Sequence, residues 1–575
     1  MLINTPTFQP MRSLYFLTLV FSFFTICSIQ AQNTLSPEQA AQVDAVFADW
    51  NKTDSPGASV GIIKDGQLVY GRGYGQANME YDIPNATTSV FRIGSTSKQF
   101  TAACIVLLAQ EGKLSLDDTL DSFFPDFPAY AKDITVRHLL HHTSGIRDYL
   151  TLASLSGLSD DDFYTNDTLM NWLQNQNELN FIPGEEHLYS NSGYWLMSQI
   201  VQKAANMTMA KYAKINIFNK LEMNNTHFHD DHTAIVKNRA SGYAPTQNGS
   251  FVISMTTLNM IGDGGIFSTI EDAKKWDDAF YNQEVFGANF WKTMTTPGIL
   301  NNGELLDYAF GLGVVTYNGL KEVSHGGAFV GFRAEHMRFP DQRFSVIIFA
   351  NRADANPTGM AHQVADIFLK DDFMEETETS SNEEDNAYSA FAKAQPYPLS
   401  VAALKDLEGT FWGAENKISR KLEVRDDTLT YVRSNGQSTK MVPIAKDKFR
   451  WVGPPMTIVL SLNKSKSPTS FILDIEGQGI STYEKYTPIT KLDEASREKY
   501  LGNYYSEELN ATYTLKPLNG GVMLYVNEKP LAPAQPIMEN IFNVYNGALT
   551  MVFSPDQKSF RIAAGRVKNV LFVKQ

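Results

Sequence analysis

A chain of 575 residues, 43% of them apolar and 19% charged, has core enough for more than one globular domain. Its net charge of −14 argues against a nucleic-acid role, because a phosphate backbone is bound by clustered cations. With only Cys27 and Cys104 available, no internal disulfide remains once a leader holding Cys27 is removed.

That leader is read in residues 11–31. Arg12 supplies a positive start, Leu14 to Ile26 an apolar stretch of signal-core length, and Ala31 a cleavage position. The stretch is shorter than the ~20 residues a membrane helix needs. Met11 offers a second start and Cys27 a lipidation site, although Ile26 is a poor residue before one. Export to the periplasm or medium is the expectation.

Ser36-Pro37-Glu38 opens a helix with Ser as cap and Pro in the first turn. Ala58–Ile63 and Gln67–Tyr70 flank Lys64-Asp65-Gly66 and predict a β-hairpin. Next comes Phe91-Arg-Ile-Gly-Ser-Thr-Ser-Lys98, followed by an apolar run to Gln110 that predicts a buried helix starting at Ser95. Three residues apart, Ser95 and Lys98 share a helix face. A desolvated Lys loses its proton readily and can take one from a Ser hydroxyl, which is the chemistry of acyl transfer. The spacing recurs at Ser461–Lys464 and Ser496–Lys499, in polar stretches with no buried helix behind them.

Two histidine groups invite comparison with metal sites. His138, His141 and His142 stand at helical i, i+3, i+4 spacing without a His-Glu-x-x-His pattern, and a structural role is the expectation. His227-Phe-His229-Asp-Asp231-His232 matches the His-x-His-x-Asp-His pattern of metallo-β-lactamase-like hydrolases. The flanking text lacks that motif's strand and glycine, so a polar surface loop with no metal is expected.

Tyr189-Ser-Asn191 follows a Pro183-Gly184 turn. A Tyr hydroxyl can relay a proton and an Asn amide can hold a substrate carbonyl, but Tyr-x-Asn also occurs at Tyr164–Asn166 and Tyr525–Asn527. Gly262-Asp-Gly-Gly265 reads as a turn before a capping box, Ser268-Thr-Ile-Glu271, that opens a helix to Phe280. Ser324-His325-Gly326-Gly327-Ala328 precedes strand-like Phe344–Ala350, and paired glycines let backbone approach a ligand.

Ser-x-x-Lys, Tyr-x-Asn and His-x-Gly, in this order, resemble the penicillin-recognising serine hydrolases: class C β-lactamases, D-Ala-D-Ala carboxypeptidases, D-aminopeptidases and related esterases. Ile134–Gly145, Tyr189–Tyr194 and Gly264–Thr269 resemble the same family. The resemblance covers about 40 to 365 and implies an α+β fold, an antiparallel sheet with flanking helices. It implies Ser95 as nucleophile, Lys98 as proton acceptor, Tyr189 as proton shuttle, and Asn191, His325 and Gly327 as substrate-binding residues, with His325 on an edge strand. The backbone N–H groups of Ser95 and Ala328 would form the oxyanion hole. No cofactor is implied. Where β-lactamases usually carry Lys, this chain carries His325. That departure predicts weak β-lactam turnover, a switchable charge, and substrates without a carboxylate at that subsite.

Residues 371–386 are acidic with no basic residue and read as a solvated linker. Beyond them, Leu407–Trp412 parallels Leu501–Tyr505 and Leu429–Val432 parallels Leu524–Val526, a diverged repeat of short alternating strands. The domain reading is therefore a leader (1–31), a hydrolase domain (36–370), a linker (371–398) and two small all-β, barrel-like, lipocalin-like domains (399–490 and 491–575). Small molecules or peptides, with no nucleic acid, are the expected partners, and a homodimer and cell-envelope contact stay open. An exported serine hydrolase acting on amide or ester bonds, D-amino-acid peptides among them, is the leading reading. A β-lactamase or carboxylesterase of the same fold is its near alternative. A non-catalytic penicillin-binding-type sensor is the alternative of another class.

Overall fold

The computed structural model describes residues 35–374 apart from 160–161, and 394–575 apart from 416, 435, 453–455, 463–466 and 476–478. The expected leader, with Cys27, and most of the acidic linker lie outside the described residues. Among the described residues no helix is long and apolar enough to cross a membrane.

The first domain is built on a six-stranded antiparallel sheet. Its strands are β1 (Ala58–Lys64), β2 (Gln67–Tyr74), β3 (Gly313–Tyr317), β4 (Leu320–Phe329), β5 (Phe332–Phe339) and β6 (Phe344–Ala350), in the order β3-β4-β5-β6-β1-β2. The β1–β2 hairpin turns on Asp65 and Gly66, both at positive φ, as a two-residue hairpin turn requires. β1 pairs with β6 from Ala58↔Ala350 to Lys64↔Phe344, so the start of the domain completes the sheet begun by its end.

Helices cover both faces of the sheet. On one side, α1 (Pro37–Val46), capped by Ser36, and the C-terminal helix Pro357–Leu369 close over Val60, Ile62, Val346 and Ile348. On the other lie α2 (Lys98–Gln110), α3 (Tyr149–Leu155), α4 (Asn191–Ala205) and α5 (Ile270–Tyr281). Every residue of β6 is therefore buried, and its text is apolar at every position but Ser345 rather than alternating. α2 is buried from Lys98 to Leu108, as its all-round apolarity predicts.

Three local expectations change. The α-helix begins at Lys98, not Ser95; Gly94–Ser97 is a 3-10 turn, and Ser95 and Lys98 still meet because they remain one turn apart. Helix α5 is capped by Thr269, whose hydroxyl accepts from Asp272 N–H, because Ser268 is paired into a small sheet. β4 is not an edge strand, since β3 lies outside it; β3 pairs only as far as Ser324, however, so His325–Phe329 keeps a locally open edge.

Two closed eight-stranded barrels follow, the first from Gly409–Gly413 to Gly479–Tyr486 and the second from Gly502–Ser506 to Val567–Lys574. In each, consecutive strands pair and the last returns to the first, at Thr410↔Tyr486 and Tyr504↔Lys574. In Ala511–Leu518, Ala511, Tyr513 and Leu515 point inward between half-exposed threonines, the period-2 signature of a small filled barrel. The second barrel packs on the first domain. Tyr513 donates to the Leu155 carbonyl (2.8 Å), and Arg147 and Glu508 form an ion pair (2.8 Å) with side chains 0% and 6% exposed.

Candidate active site

Two close approaches of backbone set the site. A Cβ on Gly327 would lie 2.1 Å from the Ile93 carbonyl, and one on Gly94, at φ +53°, would lie 2.8 Å from Ala328 N. Glycine at both positions lets β4 lie against the 3-10 turn. Thr96 Oγ1 fastens the pair by donating to the His325 carbonyl (3.1 Å). Ser95 and Ala328 thus meet at the wall of a cavity of about 510 Å³ that also takes in Tyr149, Tyr189, Asn191, Asp263, His325 and Arg566.

Lys98 lies beside Ser95 and is fully buried. Its Nζ lies 3.3 Å from Ser95 Oγ, donates to Asn191 Oδ1 (2.9 Å) and to the Asp263 carbonyl, and lies 4.8 Å from the Tyr189 ring centroid. A neutral amine has two hydrogens and one lone pair. The two acceptors take the hydrogens and leave the lone pair for the Ser95 hydroxyl. Burial brings the Lys98 pKa down to about 7, with Asp263 and Asp148 pulling it up and Arg566 pushing it further down. Burial raises the Tyr189 phenol well above its usual range, with Ser95 and Arg566 pulling back. Its hydroxyl is buried without a fixed hydrogen-bond acceptor.

Asn191 is the first residue of α4. Its N–H is held by Asp148 Oδ2 (2.8 Å), which aims its side chain at Lys98. Asp148 in turn caps α3.

His325 belongs to a chain whose partners set the tautomers. Ser190 N–H donates to His142 Nδ1 (3.1 Å), so His142 carries its proton on Nε2 and gives it to Tyr308 Oη (3.2 Å). The Tyr308 hydroxyl then donates to His325 Nε2 (2.9 Å), and His325 Nδ1–H to the Gly326 carbonyl. Burial, helped by the Lys98 charge, lowers the His325 pKa to about 4. The expectation of a switchable charge at His325 is corrected: the ring is neutral across the physiological range because it is desolvated and every nitrogen is engaged.

Sequence reasoning placed His142 in a possible metal trio and in a family-like stretch without a role, read Asp263 as part of a turn, and gave Tyr308, Asp148 and Arg566 no role. The trio has no common helix face. Its helix ends at Leu140, His138 joins a capping box with Thr135, and His142 turns away at φ +58° into the site. The left-handed backbone at His142 is visible only in three dimensions. His227 and His229 bond each other (3.2 Å) and pack on Phe267, while His232 pairs with Asn259. Among the described residues no group of three or more His, Cys, Asp or Glu is arranged to hold a metal.

Among known proteins, the family described as Beta-lactamase matches residues 43–367. Penicillin-binding protein 4* of Bacillus subtilis (strain 168) is 30% identical over 307 residues, covering 50% of this chain and 66% of its own length. A D-aminopeptidase of Gluconobacter oxydans (strain 621H) is 26% identical over 310 residues, covering 54% of this chain and 58% of its own. The chain thus spans less than two thirds of these relatives. The structure of the octameric penicillin-binding protein homologue from Pyrococcus abyssi superposes with a TM-score of 0.53 at 23% identity, over 78% of this chain and 99% of that one, a likeness of fold.

Proposed function

Since the chain belongs to the β-lactamase family, we propose that it is an exported serine hydrolase that cleaves amide or ester bonds through an acyl-enzyme, with D-amino-acid peptides among its substrates. The observation that carries this is the Lys98 amine, with two fixed acceptors for its hydrogens and Ser95 Oγ at 3.3 Å. A pKa of about 7 leaves about half of it unprotonated at neutral pH.

In this reading Ser95 Oγ attacks the substrate carbonyl carbon and its proton passes to Lys98 Nζ. The carbonyl oxygen takes the negative charge between the N–H groups of Ser95 and Ala328, where aimed donors act in a low dielectric. As the C–N or C–O bond breaks, Tyr189 gives its proton to the leaving group and takes one back from Lys98. Water then attacks the acyl carbon, its proton returns by the same route, and Ser95 is released. Asn191 holds Lys98 and the substrate carbonyl. The D-aminopeptidase and penicillin-binding relatives support the substrate class, and residues 11–31 support export.

A fluorophosphonate probe tests it. Covalent labelling mapped to Ser95, with turnover of p-nitroanilides or esters, is expected. An unlabelled, properly folded protein would favour the non-catalytic sensor.

A further inference from the structure

Resting on that acyl-enzyme reading, we propose that Arg566, carried by the last hairpin of the second barrel, is the anchor for an anionic group on the substrate's leaving side. The site then selects acyl compounds whose leaving group bears a carboxylate.

Arg566 stands between the strands Ser559–Ala564 and Val567–Lys574, after Gly565 at φ +51°. The turn is tied to the first domain. The Arg566 carbonyl accepts from Asn180 Nδ2 (2.9 Å) and Asp148 N–H (3.4 Å), and Asn180 Oδ1 accepts from Lys568 N–H (2.7 Å). The guanidinium lies 4.6 Å from the Tyr189 ring centroid and lines the same cavity as Ser95. Its nearest carboxylate oxygen, Asp148 Oδ2, is 3.8 Å away, beyond hydrogen-bond reach, and already accepts from Asn191 N–H. The side chain is 43% exposed, so its planar fork of donors is open to the cavity.

The other charges lining the cavity are committed. Arg92 is buried between the Phe267 and Phe329 rings, and Arg333 donates to the carbonyls of Val330 and Phe332. Asp263, the single lining carboxylate, accepts from Tyr149 Oη (2.9 Å). Three arginines line the cavity against the carboxylate of Asp263, with Asp148 beside Arg566, so the lining still favours an anion over a substrate ammonium, in a protein of net charge −14. The third motif supplies no cation, because His325 is neutral. Arg566 touches the residue that protonates the leaving group, which sets the anion on that side of the scissile bond.

The test uses the full chain as wild type, Arg566→Gln and Arg566→Lys. Its substrates are N-acetyl-alanyl-alanine and the matching C-terminal amide, each in D,D and L,L form. The readout is the acid-to-amide ratio of kcat/KM. Wild type is expected to prefer the acid by about tenfold or more, Arg566→Gln to bring the ratio close to one, and Arg566→Lys to keep part of it. An arginine that merely seats the hairpin would slow both substrates alike and leave the ratio unchanged, which overturns the proposal, as does a wild-type ratio near one. Where neither compound is turned over, the concentrations that halve fluorophosphonate labelling of Ser95 supply the ratio, and equal or absent protection overturns it. A wild type that takes no label at Ser95 overturns the acyl-enzyme reading itself; a labelled enzyme without carboxylate preference overturns the anchor alone.

Discussion

In the proposed mechanism Lys98 is the base, and the hydrogen bonds of its neighbours suit it to that role. Asn191 and the Asp263 carbonyl fix its two hydrogens, and burial lowers its pKa to about 7. A base must be unprotonated to act, so kcat/KM is expected to rise with pH through a single limb near 7 and then level off. His325 adds no second limb between pH 5 and 8, since it loses its proton at about 4, and Tyr189 adds no fall below pH about 10, since burial raises it. A pH–rate profile with two ascending steps in that window would contradict this. The Ser95 hydroxyl meets Lys98 and Tyr189, both groups of the site, and Ser95→Ala is therefore expected to abolish turnover and probe labelling with Tm within about 2 °C of wild type, as melting curves would check. Substantial turnover by the variant would remove Ser95 as the nucleophile.

Among the elements, the contact between β4 and the 3-10 turn has the least tolerance. Gly327 faces the Ile93 carbonyl at a distance no Cβ can share, 2.1 Å, and the next residue carries one of the two proposed oxyanion donors. Gly327→Ala is expected to push β4 away from Ser95 and lower kcat by about a hundredfold, the order of losing one such donor, while the sheet itself folds. Steady-state rates beside a far-ultraviolet circular dichroism spectrum would test this; near-normal kcat would mean that Ala328 N–H is not used. The paired glycines of the motif predicted a close approach of backbone to a ligand, and the structure uses Gly327 for an approach to the Ile93 carbonyl. The motif text gave no sign that β3 would lie outside β4, because a short strand such as Gly313–Tyr317 becomes an edge only through the pairing it finds.

At the scale of the whole molecule, the second barrel packs on the first domain and helps to line its cavity. Its core runs into the cluster around α2, Arg566 reaches the cavity, and the buried pair Arg147–Glu508 crosses the boundary. Glu508→Ala leaves a buried guanidinium without its counter-ion, and a loss of about 3–5 kcal/mol is expected in denaturant unfolding. An unchanged midpoint would mean that solvent reaches Arg147. The sequence by itself determined the things that local spacing encodes. The one-turn separation of Ser95 and Lys98, the Asp65-Gly66 hairpin, the apolar runs of α2 and β6, and the alternation of the barrel strands all follow from the fixed periods of helix and strand, and the order of three motifs pointed to the family. Only the tertiary structure decided which distant groups complete the site. His142, Tyr308 and His325 join in one hydrogen-bonded chain, Asp263 offers a backbone carbonyl rather than its carboxylate to Lys98, and Arg566 arrives from the last hairpin of a different domain. No period relates such residues. Their meeting depends on how whole elements pack, and burial, which sets the pKa values of Lys98, Tyr189 and His325, exists only once they have packed.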